Sequence, residues 1–144
     1  MKLFTIGFTK TTAEHFFSRL QRVGVKSVVD VRLHNVSQLA GFAKRDDLAY
    51  FLRALGGIGY VHEPLLAPTQ QMLDAHKKNG GSWSAYETQF RALLEDRAVQ
   101  DALTPSSLDG SCLLCSEPDA THCHRRLVAE YLQTAWGGVD IFHL

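Results

Sequence analysis

This chain lacks any excess of charge of one sign. Lys plus Arg number 15, Asp plus Glu number 15, and the isoelectric point is about 7.1. A protein that coats nucleic acid works through a basic surplus and counterion release, so that class is disfavoured. Basic residues are weighted toward 1–60 and acidic ones toward 61–144, a bias that folding mixes. Long apolar runs are also missing, and nothing approaches the ~18 residues needed to span a bilayer. The stretch from Met1 to Gly7 is too short for a secretory leader and runs straight into a helix signal. Cysteines number only three, which excludes a complete disulfide framework and fits a reduced, cytoplasmic setting. There is no internal repeat, no low-complexity tract and no Gly-rich phosphate fingerprint, so support for dinucleotide binding is weak.

What is present suits one globular domain, residues 1–144, with 45% hydrophobic content. Leu3 to Ile6 reads as a strand stopped by Gly7. Thr11-Thr12-Ala13-Glu14 reads as a capping box, with Thr11 as the cap. Phe16, Phe17, Leu20 and Val23 then recur at helical spacing up to Gly24, and Val25 to Val31 is a β-branched second strand. Together they form a βαβ unit. Leu33 to Ala43 reads as a loop. Leu48, Phe51, Leu52 and Leu55 mark a helix closed by Gly56-Gly57, and Gly59 to His62 is a short strand. Helical patterns follow at 70–78, from Ser84 through Leu94, and at Val99 to Leu103. Pro105 to Gly110 reads as a linker. Ser111 to Leu114, a helix with Leu127, Val128 and Tyr131 on one face, and Val139 to His143 complete the pattern. Strands alternating with helices imply an α/β fold. The expected form is an open, mainly parallel sheet of about five strands with helices on both faces, a Rossmann-like or flavodoxin-like three-layer arrangement.

The densest chemistry lies in Cys115-Ser116-Glu117-Pro118-Asp119-Ala120-Thr121-His122-Cys123-His124-Arg125-Arg126, between a strand and a helix. Open α/β proteins place ligands at such strand ends. With Thr121 as cap, Cys123 and His124 fall in the first helical turn. The helix N-terminus with Arg125 and Arg126 favours an anion, and the same field is expected to lower the pKa of Cys123. Cys123 or Cys115 is the candidate nucleophile or redox group, with His124 beside them. Glu117 reads as an acid or base, a partner for Arg125, or a charge near the helix dipole. Cys112 reads as core. Cys112 and Cys115 point to opposite faces of a strand, and Cys-x7-Cys-His lacks close-paired ligand spacing, so no metal and no other cofactor is expected.

The other strand ends supply Gly7, Thr9, Asp30, Arg32 and His62, which with Arg125 are the candidate ligand-binding residues. Arg32 can hold a carboxylate or phosphate in bidentate fashion, or can simply pair with Asp30. Taken singly, each feature also reads as structure: a pinned helix, a satisfied histidine, a packed thiol.

In order along the chain, Thr5-Ile6-Gly7, Val29-Asp30-Val31-Arg32, Gly59-Tyr60-x-His62, Leu114-Cys115-x-Glu117, Cys123-His124-Arg125-Arg126 and Ile141-Phe142-His143-Leu144 resemble the domain of unknown function 488 family. The segments Asp30 to Phe42 and His62 to Thr69 resemble one branch of it. The resemblance implies a compact open α/β fold with a polar cleft but supplies no reaction. Many members carry His-Ser after Thr-Ile-Gly, where this chain has Phe8 and Thr9. Many carry Pro and Arg near positions occupied here by Asn35 and Gln38.

Three functions compete. The first is a thiol-dependent enzyme acting on a phosphate- or carboxylate-bearing substrate. The second is a non-catalytic module for a small anionic ligand or nucleotide. The third, least supported, is nucleic-acid processing or sensing through Arg32, Lys44, Arg45, Arg125 and Arg126, with Tyr60, Trp83 and Tyr86 available for stacking. No membrane partner is expected.

Overall fold

The computed structural model describes residues 1–36 and 40–144. Five strands form one sheet: β1 (Lys2–Gly7), β2 (Ser27–Asp30), β3 (Gly59–His62), β4 (Ser111–Cys115) and β5 (Asp140–His143). Their order is β3-β2-β4-β1-β5, and every neighbouring pair is parallel. The expected α/β architecture is therefore present, with the sheet wholly parallel among the described residues. β4 is buried along its whole length, as a central parallel strand must be.

The principal helices are α1 (Ala13–Arg22), α2 (Arg45–Gly56), α3 (Gln70–Lys77), α4 (Trp83–Asp96), the short α5 (Val99–Ala102) and α6 (Pro105–Leu108), and α7 (His124–Trp136). Phe16, Phe17 and Leu20 of α1 and Leu48 and Leu52 of α2 pack with Phe4, Ile6, Val28 and Cys112 on one face of the sheet. Tyr86, Phe90 and Leu94 of α4 and Leu127, Val128 and Leu132 of α7 pack with Leu3, Val29, Leu113 and Cys115 on the other. Alternation along β4 sends Cys112 and Cys115 into opposite cores.

Three local expectations are corrected. The cap of α1 is Thr12, whose hydroxyl accepts from the N–H of His15, while the buried Thr11 hydroxyl has no partner. Residues 105–108 form a helical turn, because Thr104 and Ser107 make a reciprocal capping box and Pro105 suits the first helical position. The cap of α7 is Cys123, two residues beyond Thr121, and it makes no side-chain capping bond; Thr121 lies in the preceding loop, where its N–H donates to the Asp119 carboxylate at 2.7 Å. Ser37, Gln38 and Leu39, part of the expected loop, lie outside the described residues.

The chain leaves β1 through α1 toward β2 on one face and leaves β4 through α7 toward β5 on the other. These departures open a crevice at the carboxyl ends of β1 and β4, where Gly7 and Cys115 are register partners.

Candidate functional site

Cys115 ends β4, Cys123 caps α7, and His124 is the first residue of that helix. All three are buried. Their ligand atoms lie within 4.8 Å of one another. The His124 Nε2 is 2.7 Å from the backbone carbonyl of Val31. A carbonyl only accepts, so Nε2 carries the proton and donates. In the neutral ring, Nδ1 then offers its lone pair, and it lies 3.4 Å from the Cys115 sulfur. Phe90 meets the imidazole edge-on at 5.4 Å.

The two thiols lie within 4.8 Å of each other and act on each other's protonation. Cys123, helped by the Ser116 N–H, holds the Cys115 pKa below the ordinary thiol value despite burial. The helix field was expected to lower Cys123; its pKa is instead raised, by its neighbour Cys115 and then by burial. Burial likewise raises Cys112.

A second polar group sits at the end of β2. Arg32 donates from Nε and Nη2 to the two carboxylate oxygens of Asp30, each at 2.8 Å, and Nη2 also donates to the Ala43 carbonyl at 2.7 Å. Asp30 and Arg32 are 0% and 3% exposed. Tyr60 donates to Asp30 at 2.6 Å, and its own pKa is pushed up by burial and then by that carboxylate. His62 donates from Nε2 to the Arg32 carbonyl at 2.8 Å. The Arg32 Nη1 is buried without a partner.

A third group fastens the loop after β4. The guanidinium of Arg125, 1% exposed, donates to the Glu117 carbonyl and lies 3.4 Å from the Thr5 hydroxyl. Thr9 donates from its hydroxyl and its N–H to the Ser116 carbonyl, at 2.7 and 3.2 Å. A Cβ on Gly7 would stand 1.7 Å from the Glu117 carbonyl oxygen, so the loop passes where only glycine leaves room. Arg125 therefore meets the Glu117 backbone, while the Glu117 carboxylate is half-exposed, 3.7 Å from Lys77.

A cavity of about 240 Å³ opens over the thiol cluster. Cys115, Cys123 and His124 form its buried end, Leu73, Trp83 and Tyr86 line it, and Arg32, His34, Lys77, Glu117 and His122 also border it. His122 stacks on Trp83 at 5.1 Å and 22°. Of the residues singled out in the sequence, Cys115, Glu117, Cys123, His124 and Arg32 meet here. Gly7, Thr9, Asp30, His62 and Arg125 do not line the cavity; they brace its backbone and Arg32.

Trp83 and Tyr86, read from sequence as available for stacking, and His34, Lys77 and His122 emerge as lining residues. The signal for His122 was its place inside the motif, whereas that for Lys77 and His34 exists only in three dimensions. Four of the basic residues considered for a nucleic-acid surface have other engagements among the described residues. Arg32 and Arg125 are buried, Arg45 pairs with Asp46, and Arg126 joins Glu87 and Glu130.

Among the described residues, no helix is long and apolar enough to cross a membrane. No curated protein and no solved structure matches the chain. One family model does match, over residues 12–132 of the 144, and by that match the chain belongs to the family described as domain of unknown function DUF488.

Proposed function

We propose that the cleft is a thiol active site acting on a phosphate- or carboxylate-bearing substrate. The observation that carries this reading is the 3.4 Å approach of the Cys115 sulfur to His124 Nδ1 at the buried end of a cavity. In the proposed step the thiol proton passes to Nδ1, the sulfur bonds to the substrate's electrophilic centre, and the leaving group departs with the bonding pair. Cys123 favours the thiolate, and Val31 fixes the imidazole tautomer. Lys77, His34 and His122 supply polar contacts for the anionic group, and Arg32 supplies its unpartnered Nη1.

The test is the alkylation rate of each cysteine in the reduced, metal-free protein at neutral pH, mapped by peptide mass spectrometry. Cys115 is expected to react faster than an unfolded-chain thiol. A Cys115 rate no greater than that of ordinary or protected thiols defeats the reading.

A second reading, a non-catalytic nucleotide-binding module, is favoured by the stacked Trp83 and His122 beside the cavity. It predicts a rise in melting temperature with a nucleotide and unreactive cysteines.

A further inference from the structure

The donors gathered at the end of the cavity are two sulfurs and one imidazole nitrogen, all buried and within 4.8 Å of one another. In a tetrahedral zinc site, with Zn–S near 2.3 Å and Zn–N near 2.0 Å, sulfur-to-nitrogen ligand separations are about 3.5 Å and sulfur-to-sulfur about 3.8 Å. The Cys115 sulfur and His124 Nδ1 already stand at 3.4 Å. The widest pair must close by no more than about 1.3 Å, within reach of side-chain rotation.

The other imidazole nitrogen bears on the choice as strongly. Ligating histidines usually donate their second ring N–H to a carboxylate, a backbone carbonyl or water, which fixes the tautomer and aims the lone pair. His124 makes that bond to Val31 at 2.7 Å, its Nδ1 stands 3.4 Å from the Cys115 sulfur, and the Cys123 sulfur lies within 4.8 Å of the same cluster. Cys112 faces the opposite core and cannot become a fourth ligand. The fourth position therefore opens on the cavity.

We infer that Cys115, Cys123 and His124 form a three-ligand site for a thiophilic divalent cation, zinc by donor chemistry, with its fourth position open to the cavity. Binding releases the two thiol protons to solvent, and the two thiolates neutralise the ion's charge. The inference shares its cluster with the thiol reading above and adds a regulatory consequence to it. A sulfur pair bound to zinc is withdrawn from attack, so zinc is a reversible inhibitor of Cys115 chemistry.

The test is a titration of the reduced full-length protein with Co²⁺ under anaerobic conditions, followed by displacement with Zn²⁺. The expected result is one ion per chain, with a thiolate-to-cobalt charge-transfer band and the d–d bands of a tetrahedral site. Cys123→Ser and His124→Gln are expected to abolish that spectrum, and Cys112→Ala to retain it. X-ray absorption of the zinc-loaded wild type, which needs no variant to fold, should give two sulfur neighbours and one imidazole. Absence of the thiolate band from the fully reduced wild type overturns the inference, as does a zinc shell without sulfur or a spectrum unchanged in Cys123→Ser. Alkylation of the metal-free protein reads the thiol proposal separately. Slow Cys115 with an intact cobalt spectrum removes only the thiol reading, and fast Cys115 without one removes only the metal site.

Discussion

The Cys115 sulfur and the His124 Nδ1 face each other at 3.4 Å because the other ring nitrogen is committed to Val31, a residue 93 positions earlier in the chain. The contact joins the end of β4 to the start of α7, and its geometry is set from β2. If the imidazole accepts the thiol proton, His124→Gln should slow Cys115 alkylation by about 100-fold at neutral pH, the lower end of general-base contributions. Cys112 in the same sample is the internal reference. An unchanged Cys115 rate in a folded variant would show that the imidazole takes no part.

The Gly7–Glu117 passage makes a prediction about stability. In Gly7→Ala the new methyl meets a backbone oxygen 1.7 Å away, so the loop must move and the Arg125 bond to Glu117 must stretch or break. A loss of about 2–4 kcal/mol in urea unfolding is expected. A change within about 0.5 kcal/mol would mean that the loop yields freely.

The buried Asp30–Arg32 pair makes a prediction with a built-in control. Arg32→Met leaves a buried carboxylate supported mainly by Tyr60 and should cost about 3–5 kcal/mol. Adding Asp30→Asn should restore part of that loss, because the uncompensated charge is gone while an amide oxygen can still accept from Tyr60. Strictly additive losses in urea titrations would contradict this account.

His143 gives the pH dependence. Its Nδ1 lies 2.7 Å from the Thr5 hydroxyl, and partial burial followed by the Arg125 charge lowers its pKa below the ordinary imidazole value. The folded state therefore binds the proton less readily than the unfolded chain. Stability from this group is complete above the unfolded value of about 6.5 and is lost as pH falls from there through the folded value. His143→Gln should flatten the fall in melting temperature between about pH 7.5 and pH 5 relative to wild type. Parallel curves for the two proteins would count against the assignment.

The sheet was legible because its strands are short β-branched or apolar runs, and its helices carry buried residues three and four apart, as in Phe16, Phe17 and Leu20. Caps were less legible where two hydroxyls compete. Thr11 matches the Thr-x-x-Glu spacing, but Thr12 is the one whose oxygen meets a free N–H. Pro105 suggested a linker because proline's two roles, breaking a helix and starting one, look alike until Ser107 is seen to complete the box.

Of the site, the part from Cys115 to His124 could be read because it is contiguous. The tyrosine on Asp30, the carbonyl behind His124 and the Trp83 wall could not, because they join the site only through strand order and helix packing. The pairing of thiols was hidden for the same reason. Ligand spacing along a chain describes a loop that wraps an ion, whereas here a strand end and a helix cap converge.

The insertion of β4 between β1 and β2 has a consequence for the growing chain. Among the sheet's neighbours only β2 and β3 follow one another in sequence, so the strands made first flank a vacant slot until Ser111 to Cys115 has been synthesised. Closing that slot joins segments far apart in the chain, which makes it a late event in folding. The strand that closes it ends in Cys115, and the helix that covers it begins with His124. The thiol cluster is therefore assembled by the same step that joins the two halves of the sheet, and a chain truncated before Ser111 exposes two unpaired inner strand edges in place of a site.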